Sequence, residues 1–167
     1  MKFVIIGDGA VGKTNLLRSF NFNQFNYVYM PTTFTNEYHQ TITQNTQQSF
    51  NLSLMDTSGS SGFNRIRRYS YIDVNVFIVC YSVENQFSLN NVVNRWIPEM
   101  RSYKSDVPFI LVGTKCDLNN DLSERADEIM KQYNARSHVL CSAVNSYNVK
   151  RVFHEAVRVA LENDQNQ

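Results

Sequence analysis

Cysteine is scarce in this chain of 167 residues, and so are net charge and long apolar runs. The three cysteines, Cys80, Cys116 and Cys141, are odd in number and far apart. A disulfide framework or a zinc site would need clustered pairs, so this spacing favours a reducing compartment. We expect each thiol to act as a small buried apolar side chain.

The charge balance and the short apolar runs argue against further classes of protein. The formal net charge is +1, so bulk charge gives no reason to expect a nucleic-acid partner. No apolar run approaches the ~20 residues that span a bilayer, and the run at residues 3–6 is too short for a signal peptide. Residues 162–167 carry neither a prenylation box nor a polybasic stretch. We therefore expect a cytoplasmic protein, and membrane association would require an anchor outside this sequence.

Strand-like and helix-like segments alternate along the chain. Continuous apolar runs predict buried strands, and apolar residues at helical spacing predict helices that cover them. The predicted strands are residues 3–6, two within 40–54 joined by the polar tract 44–49, 74–83, 109–112 and 139–141; the predicted helices are 15–22, 89–100, 122–133 and 149–160. Pro98 indicates a kink or an irregular end in the second helix. This order predicts one α/β domain over residues 1–167, with a doubly wound, mostly parallel sheet.

A glycine-rich loop follows the first strand and opens the first helix. Residues 7–14 read Gly-Asp-Gly-Ala-Val-Gly-Lys-Thr and match G-x-x-x-x-G-K-[ST], the phosphate-binding loop. Backbone amides and the helix N-terminus supply positive potential there, Lys13 would reach the β- and γ-phosphates, and the Thr14 hydroxyl would ligate magnesium. The predicted contacts to phosphate are Gly9, Ala10, Val11, Gly12, Lys13, Thr14 and Asn15.

Two other interpretations of the same loop are weaker. It also spells the dinucleotide pattern G-x-G-x-x-G, but that leaves Lys13 and Thr14 unexplained, and no acidic residue ends a second strand at the right distance. An ATP-dependent small-molecule kinase would use the same loop, but no acceptor-site base or lid is evident. The motif therefore favours a nucleoside triphosphate site that belongs neither to a dinucleotide-binding protein nor to a small-molecule kinase.

Two later segments, together with this loop, resemble the small GTPases of the Ras superfamily. Residues 114–117 read Thr-Lys-Cys-Asp, a variant of N-K-x-D, and residues 141–143 read Cys-Ser-Ala. The resemblance implies a P-loop NTPase fold, a six-stranded sheet flanked by about five helices. It also implies that Asp117 accepts two N–H bonds from guanine, which adenine does not offer. Lys115 would pack over the base, the Ala143 amide would face its carbonyl and Phe25 would meet its edge; Thr114, Leu118, Ser142 and Val144 complete the predicted base site.

Two further segments resemble the switches of that family. Residues 29–34 read Tyr-Met-Pro-Thr-Thr-Phe, similar to switch I of the Rho branch, and we use that name for residues 29–36. The resemblance implies that Thr32 rather than Thr33 ligates magnesium and that Tyr29 lies over the phosphates. Switch II, residues 56–69, begins Asp-Thr-Ser-Gly-Ser. Asp56 would hold magnesium through water and the Gly59 amide would sense the γ-phosphate, so phosphate loss would release both segments.

Switch II also departs from the family pattern. Ser60 stands where the family has the Gln that orients the attacking water, and Ser58 replaces Ala, which resembles the hydrolysis-poor Rnd subgroup. Loss of an orienting group predicts slow hydrolysis at a catalytic set of Lys13, Thr32, Gly59 and Ser60. A conventional cycling GTPase is the alternative, because Gly9 leaves room for an arginine finger supplied by an activating protein.

The resemblance also bears on partners. Only about 22 residues, 119–140, lie where Rho proteins carry an inserted helix, and Thr35 replaces an acidic residue of switch I. We expect a monomer that recruits effectors through residues 29–36 and 63–69, that exchange factors and activating proteins regulate, and that acts in actin cytoskeleton signalling. Arg65, Arg67 and Arg68 form a basic cluster that is either a solvated helix face or a partner contact.

Overall fold

A computed structural model describes residues 1–44, 48–118 and 122–165 of the chain. Its centre is a six-stranded sheet in the order β2-β3-β1-β4-β5-β6. Among the described strands the β2–β3 pair is antiparallel, and the other neighbouring pairs are parallel. The strands are β1 (Lys2–Gly7), β2 (Asn36–Gln44), β3 (Gln48–Asp56), β4 (Val76–Ser82), β5 (Phe109–Thr114) and β6 (His138–Leu140).

Helices cover both faces of this sheet. They are α1 (Lys13–Phe22), α2 (Asn64–Tyr69), α3 (Gln86–Asn91), α4 (Ile97–Tyr103), α5 (Ser123–Tyr133) and α6 (Val149–Asp164). A π-helical turn, Val92–Trp96, joins α3 to α4, so these two form one continuous helical run. The described chain therefore has five helical bodies around six strands, which confirms the predicted fold class. No helix in the described ranges is both long and apolar enough to cross a membrane.

The core has two layers because the central strands are buried on both faces. Every residue of β4 and β5 is buried, as the continuous apolar runs predict. One cluster packs α1 and α6 against one face, with Phe153 as a large member. The other packs the α3–α4 run and α5 against the opposite face around Trp96 and Phe109. The sheet is thus held rigid between its helices, and the loops at its carboxyl edge are presented on a fixed base.

Pro98 produces an irregularity before itself rather than at a helix end. Proline lacks an amide hydrogen and its ring crowds the carbonyl four residues back. The turn before it widens to π-helical geometry, in which the Ile97 amide donates to Val92. The helix then continues to Tyr103, so the predicted irregularity is present but internal. This wide turn places Trp96 against the loops at the carboxyl edge of the sheet.

Part of the predicted polar tract between β2 and β3, residues 45–47, lies outside the described residues. Residues 119–121, the start of the 119–140 segment, also lie outside them. From 122 to 140 the described chain contains α5 and β6. Strand β2 begins at Asn36, four residues before its predicted start, because Asn36 pairs with Asp56 of β3. That pairing depends on a partner strand and leaves no periodic signal in residues 36–39.

Candidate nucleotide site

The loop of residues 7–14 leaves β1 at the carboxyl edge and turns into α1. Gly12 is the N-cap of α1 and adopts a positive φ of 98°, a conformation that L side chains rarely adopt. No side chain caps this helix start among the described residues, so its first amide groups face the loop. Together with the oriented amides of the loop, they form a concave surface suited to an anion.

Lys13 lies inside this loop. Its Nζ donates to the carbonyls of Gly7 at 2.8 Å and Asp8 at 2.7 Å, and the residue is 6% exposed. Burial lowers the pKa of Lys13 to about 8, and the negative charge of Asp56 partly opposes this shift. An anion beside the ammonium group would favour its charged form further. The geometry therefore presents a buried, poorly compensated cation beside the amide-lined loop.

Three oxygen-bearing side chains from distant parts of the chain meet next to Lys13. The Thr14 hydroxyl donates to Asp56 Oδ2 at 2.8 Å and lies 3.0 Å from the Thr32 hydroxyl. Asp56 is fully buried, and its Oδ1 has no hydrogen-bond partner among the described residues. Burial raises the pKa of Asp56, although the Thr14 hydrogen bond and Lys13 act in the opposite direction.

This cluster has the composition of a site for a hard divalent cation. Magnesium prefers oxygen ligands and is often held by one or two carboxylates with substrate phosphates and water. A cation would compensate the buried Asp56 carboxylate and use its free oxygen, which otherwise has a large desolvation cost. Thr14, Thr32 and Asp56 therefore fit magnesium, whereas Thr33, next to Thr32, is exposed.

Asn15 positions the start of the loop that carries Thr32. Its side-chain amide donates to the Asn26 carbonyl at 3.0 Å, and its carbonyl oxygen accepts from the Asn26 amide at 3.1 Å. This paired contact fixes the irregular segment after α1 over the phosphate loop. Tyr29 then lies above Gly9, since a Cβ built on Gly9 would be 3.5 Å from the Tyr29 hydroxyl. The Asn15 side chain therefore holds this segment by hydrogen bonds to the backbone of Asn26.

Switch II begins in direct contact with the phosphate loop. A Cβ on Gly59 would lie 2.3 Å from the backbone of Asp8 and Gly9, so only glycine fits this approach. The buried Ser58 hydroxyl accepts from the Ser60 amide at 3.3 Å. Ser60 itself is exposed, and a short hydroxyl at this position reaches less far than an amide side chain.

Arg67 holds switch II to the α3–α4 run, a role that the sequence did not indicate. Its guanidinium donates to the carbonyls of Ser58 at 2.6 Å and Ser60 at 3.1 Å, and to both oxygens of Glu99 at 2.7 and 2.8 Å. Tyr71 donates to the same Glu99 carboxylate at 2.5 Å. Arg67 is 1% exposed, so both predicted roles of the basic cluster are wrong for Arg67; Arg65 and Arg68 are exposed.

Trp96 connects the same region to the phosphate loop. Its indole N–H donates to Asp8 Oδ1 at 2.8 Å, and the Asn91 amide donates to Asp8 Oδ2 at 2.6 Å. The Arg67 guanidinium lies 4.8 Å from the Trp96 ring and that of Arg95 lies 4.2 Å from it. Asp8, the second residue of the loop motif, is therefore held by hydrogen bonds at the helical irregularity.

The carboxyl ends of β5 and β6 form a smaller pocket beside the phosphate loop. Its volume is about 210 Å³, and its lining includes Asp117, Lys115 and Phe25. A larger cleft of about 700 Å³ contains the phosphate loop and both switches. Lys115 adopts a positive φ of 58°, and it lines both cavities together with Gly12, Asn15 and Phe25. The two cavities are thus contiguous, with the Lys115 side chain at their border.

The structure brings nearly all of the sequence-predicted site residues to these two cavities. The larger cleft contains Gly9, Ala10, Gly12, Lys13, Thr14, Asn15, Phe25, Tyr29, Thr32, Gly59 and Ser60; the smaller pocket adds Thr114, Asp117, Leu118, Ala143 and Val144. Val11 and Ser142 line neither cavity and are buried, so only their backbone atoms are available to a ligand. Asp56 borders the cleft through its contact with Thr14.

Comparison with known proteins agrees with this geometry. A family model described as the Ras family matches residues 2–162. The chain is 38% identical to the Rho-related protein racC of Entamoeba histolytica, over 100% of this chain and 93% of that protein. It is 39% identical to the Ras-like GTP-binding protein RhoL of Drosophila melanogaster, over 95% and 85%. It is also 39% identical to a GTP-binding RHO-like protein of Candida albicans, over 94% of this chain but only 45% of that protein's length.

Proposed function

Because this chain belongs to the Ras family of small GTP-binding proteins, with Rho-related relatives, we propose that it is a switch that binds GTP and GDP with Mg²⁺ in the paired cavities. The observation that carries the proposal is the meeting of Thr14, Thr32 and Asp56 beside Lys13, from three separate segments. The buried Asp56 oxygen without a partner among the described residues supports a cation there.

The smaller pocket supports guanine as the base. Asp117 borders it with a carboxylate, the group that accepts two N–H bonds from the guanine edge, and adenine would leave that charge unpaired. Phe25, Lys115 and Ala143 line the same space. This arrangement argues against the ATP-dependent kinase, which remains the remote alternative.

The phosphates would lie in the larger cleft. Loop amides and the Lys13 ammonium group would bind them, and bound Mg²⁺ would neutralise charge on the β- and γ-phosphate oxygens. Thr32 and the Gly59 amide belong to the two switches and reach this cleft together. The γ-phosphate would hold both switches, and its loss would release them.

Hydrolysis is proposed to be slow. Members of this family are GTP hydrolases, and catalysis depends largely on positioning the attacking water. Apart from Asp56, which belongs to the proposed magnesium site, the switch II residues at the cleft are Ser58, Gly59, Ser60 and Phe63, and none of these four carries a carboxamide, carboxylate or imidazole. Ser60 is too short to orient the water as an amide would, so the chain would remain mostly bound to GTP.

Exposed apolar side chains on both switches support effector binding. Tyr29, Met30 and Phe34 of switch I are 61%, 67% and 70% exposed, and Tyr69 of switch II is 73% exposed. Large apolar side chains left exposed in this way favour a contact with another protein. Effectors, exchange factors and activating proteins are the proposed partners, in actin cytoskeleton signalling. The proposed form is a single-domain monomer in the cytoplasm.

The first experiment is to identify the nucleotide that the purified protein carries, released by denaturation and separated by ion exchange. Mostly GTP supports the slow-hydrolysis proposal, and mostly GDP supports the conventional cycling GTPase instead. Release of an adenine nucleotide would overturn the guanine assignment. So would a competition assay in which ATP displaces labelled GDP as effectively as GTP does.

A variant then tests the reason for slow hydrolysis. Ser60→Gln restores a water-orienting side chain and should raise the single-turnover rate of GTP hydrolysis by about 10²-fold. Ser61→Gln, one residue later, is the matched control and should leave the rate unchanged. Equal rates for the wild type and Ser60→Gln would show that residue 60 does not limit hydrolysis.

A further inference from the structure

We propose that Glu84 is a positioning residue that fixes the Lys115 side chain over the base and thereby slows guanine-nucleotide release. Glu84 belongs to none of the motifs discussed above. It lies in the turn after β4, and its carboxylate accepts from Lys115 Nζ at 2.5 Å. The proposal rests on the guanine-nucleotide site proposed above.

The turn that carries Glu84 is fixed by its own hydrogen bonds. The Val83 amide donates to the Thr114 carbonyl at 3.1 Å, which ties this turn to the end of β5. The Asn85 amide donates to Ser82 at 3.0 Å, and the Asn85 side chain caps α3. The Ser82 amide in turn donates to the Ser88 hydroxyl at 3.0 Å. Glu84 is thus presented from a closed turn with little freedom of its own.

Lys115 is fixed at the backbone but needs a partner for its long side chain. Its positive φ of 58° directs the chain away from β5, and its carbonyl accepts from the Leu118 amide at 3.0 Å. A lysine side chain has four rotatable bonds, and ordering it costs conformational entropy. Glu84 holds the ammonium end, and the Ser82 hydroxyl contacts the same Glu84 oxygen at 3.4 Å.

The position of this pair connects it to the base. Glu84 lines the smaller pocket with Lys115 and Asp117, whereas it does not line the larger cleft. Tying the ammonium group to Glu84 lays the apolar stem of Lys115 along the border of that pocket. It also compensates the Glu84 charge, which leaves Asp117 as the carboxylate available to the guanine N–H groups. Because the Lys115 stem is already ordered, binding of the base costs less conformational entropy, and we expect the bound base to be released more slowly.

A double-mutant cycle on nucleotide release tests this role. The dissociation rate of a fluorescent GDP is measured in excess magnesium for the wild type, Glu84→Gln, Lys115→Met and the double variant. Lys115→Met keeps the apolar stem and removes only the ammonium group. Glu84→Gln should raise the rate about two- to fivefold, the range expected for a partly exposed ion pair. In the Lys115→Met background the same substitution should leave the rate unchanged.

The control is Glu128→Gln, which removes the carboxylate of an exposed ion pair with Arg125 on α5, outside both cavities, and should not change the rate. Screening by potassium chloride should narrow the difference between the wild type and Glu84→Gln. An effect of Glu84→Gln that persists in the Lys115→Met background would overturn the positioning role, because Glu84 would then act on the nucleotide directly.

The outcomes also separate this inference from the proposed function. A wild type that binds GDP with an unchanged rate in Glu84→Gln would overturn the role of Glu84 alone. A wild type that binds no guanine nucleotide would overturn both.

Discussion

The buried pair between Arg67 and Glu99 offers a quantitative test of how switch II is anchored. The two side chains are 0% and 8% exposed, so solvent screens their charges little. Glu99→Gln keeps the shape of the side chain but leaves the Arg67 charge uncompensated inside the protein. Removing one partner of a buried pair typically costs about 3 kcal/mol. For a chain of this size that corresponds to a fall in Tm of about 6–12 °C.

Thermal unfolding at fixed GDP and magnesium concentrations measures this change, because bound ligand also shifts the transition. Glu128→Gln, in an exposed pair, should leave Tm essentially unchanged. The double variant Arg67→Met/Glu99→Leu should lose less Tm than the summed losses of Arg67→Met and Glu99→Leu, because neither charge is then left without its partner. A Tm for Glu99→Gln equal to that of the Glu128→Gln control would refute the reasoning.

The pH dependence of the same variant has a definite sign. Burial alone would raise the pKa of Glu99, but hydrogen bonds from Arg67 and Tyr71 outweigh it and hold the pKa below its ordinary value of 4.5. A carboxyl with a depressed pKa stabilises the fold above its unfolded value, and this contribution is lost as the pH falls through the folded value. The stability difference between the wild type and Glu99→Gln should therefore narrow below about pH 4.5.

Two further predictions concern the loops around the phosphate site. Gly59→Ala places a Cβ 2.3 Å from the backbone of Asp8 and Gly9, so switch II must move away; the preference for GTP over GDP should fall while GDP affinity changes little, as competition binding would measure. A preference for GTP over GDP that is the same in Gly59→Ala as in the wild type would show that this close approach does not matter for GTP binding. Asn15→Ala removes both hydrogen bonds to Asn26 and should speed GDP release several-fold, whereas Asn21→Ala on the same helix should not. Stopped-flow exchange compares them, and identical rates would show that Asn15 does not position the loop.

The predicted elements show what local sequence information carries. Fully apolar runs such as residues 109–112 became buried strands because a strand covered on both faces has no polar side to reveal. The irregularity at Pro98 also follows from local sequence, but the geometry that it takes depends on tertiary packing. The irregularity is a π turn before the proline, since packing of Trp96 and Ile97 in the core keeps the helix continuous.

Arg67 shows where the same reasoning fails. In sequence it is one of three nearby arginines, and an exposed helix face is the ordinary location for such residues. Its burial depends on Glu99, which lies 32 positions away, and on carbonyls of Ser58 and Ser60 that only the folded loop presents. No periodicity in residues 64–69 encodes that contact, so the basic cluster could not be divided from sequence alone.

The sequence by itself determined the alternation of strands and helices, the phosphate loop at residues 7–14 and the family resemblance, because these depend on residue types at short, fixed spacings. Tertiary structure decided which side chains meet. Thr14, Thr32 and Asp56 converge because β1 and β3 are adjacent parallel strands and Asn15 holds the intervening loop. Glu84 meets Lys115 because β4 and β5 end side by side. Contacts of this kind are made across the sheet between distant segments, and spacing along the chain does not record them.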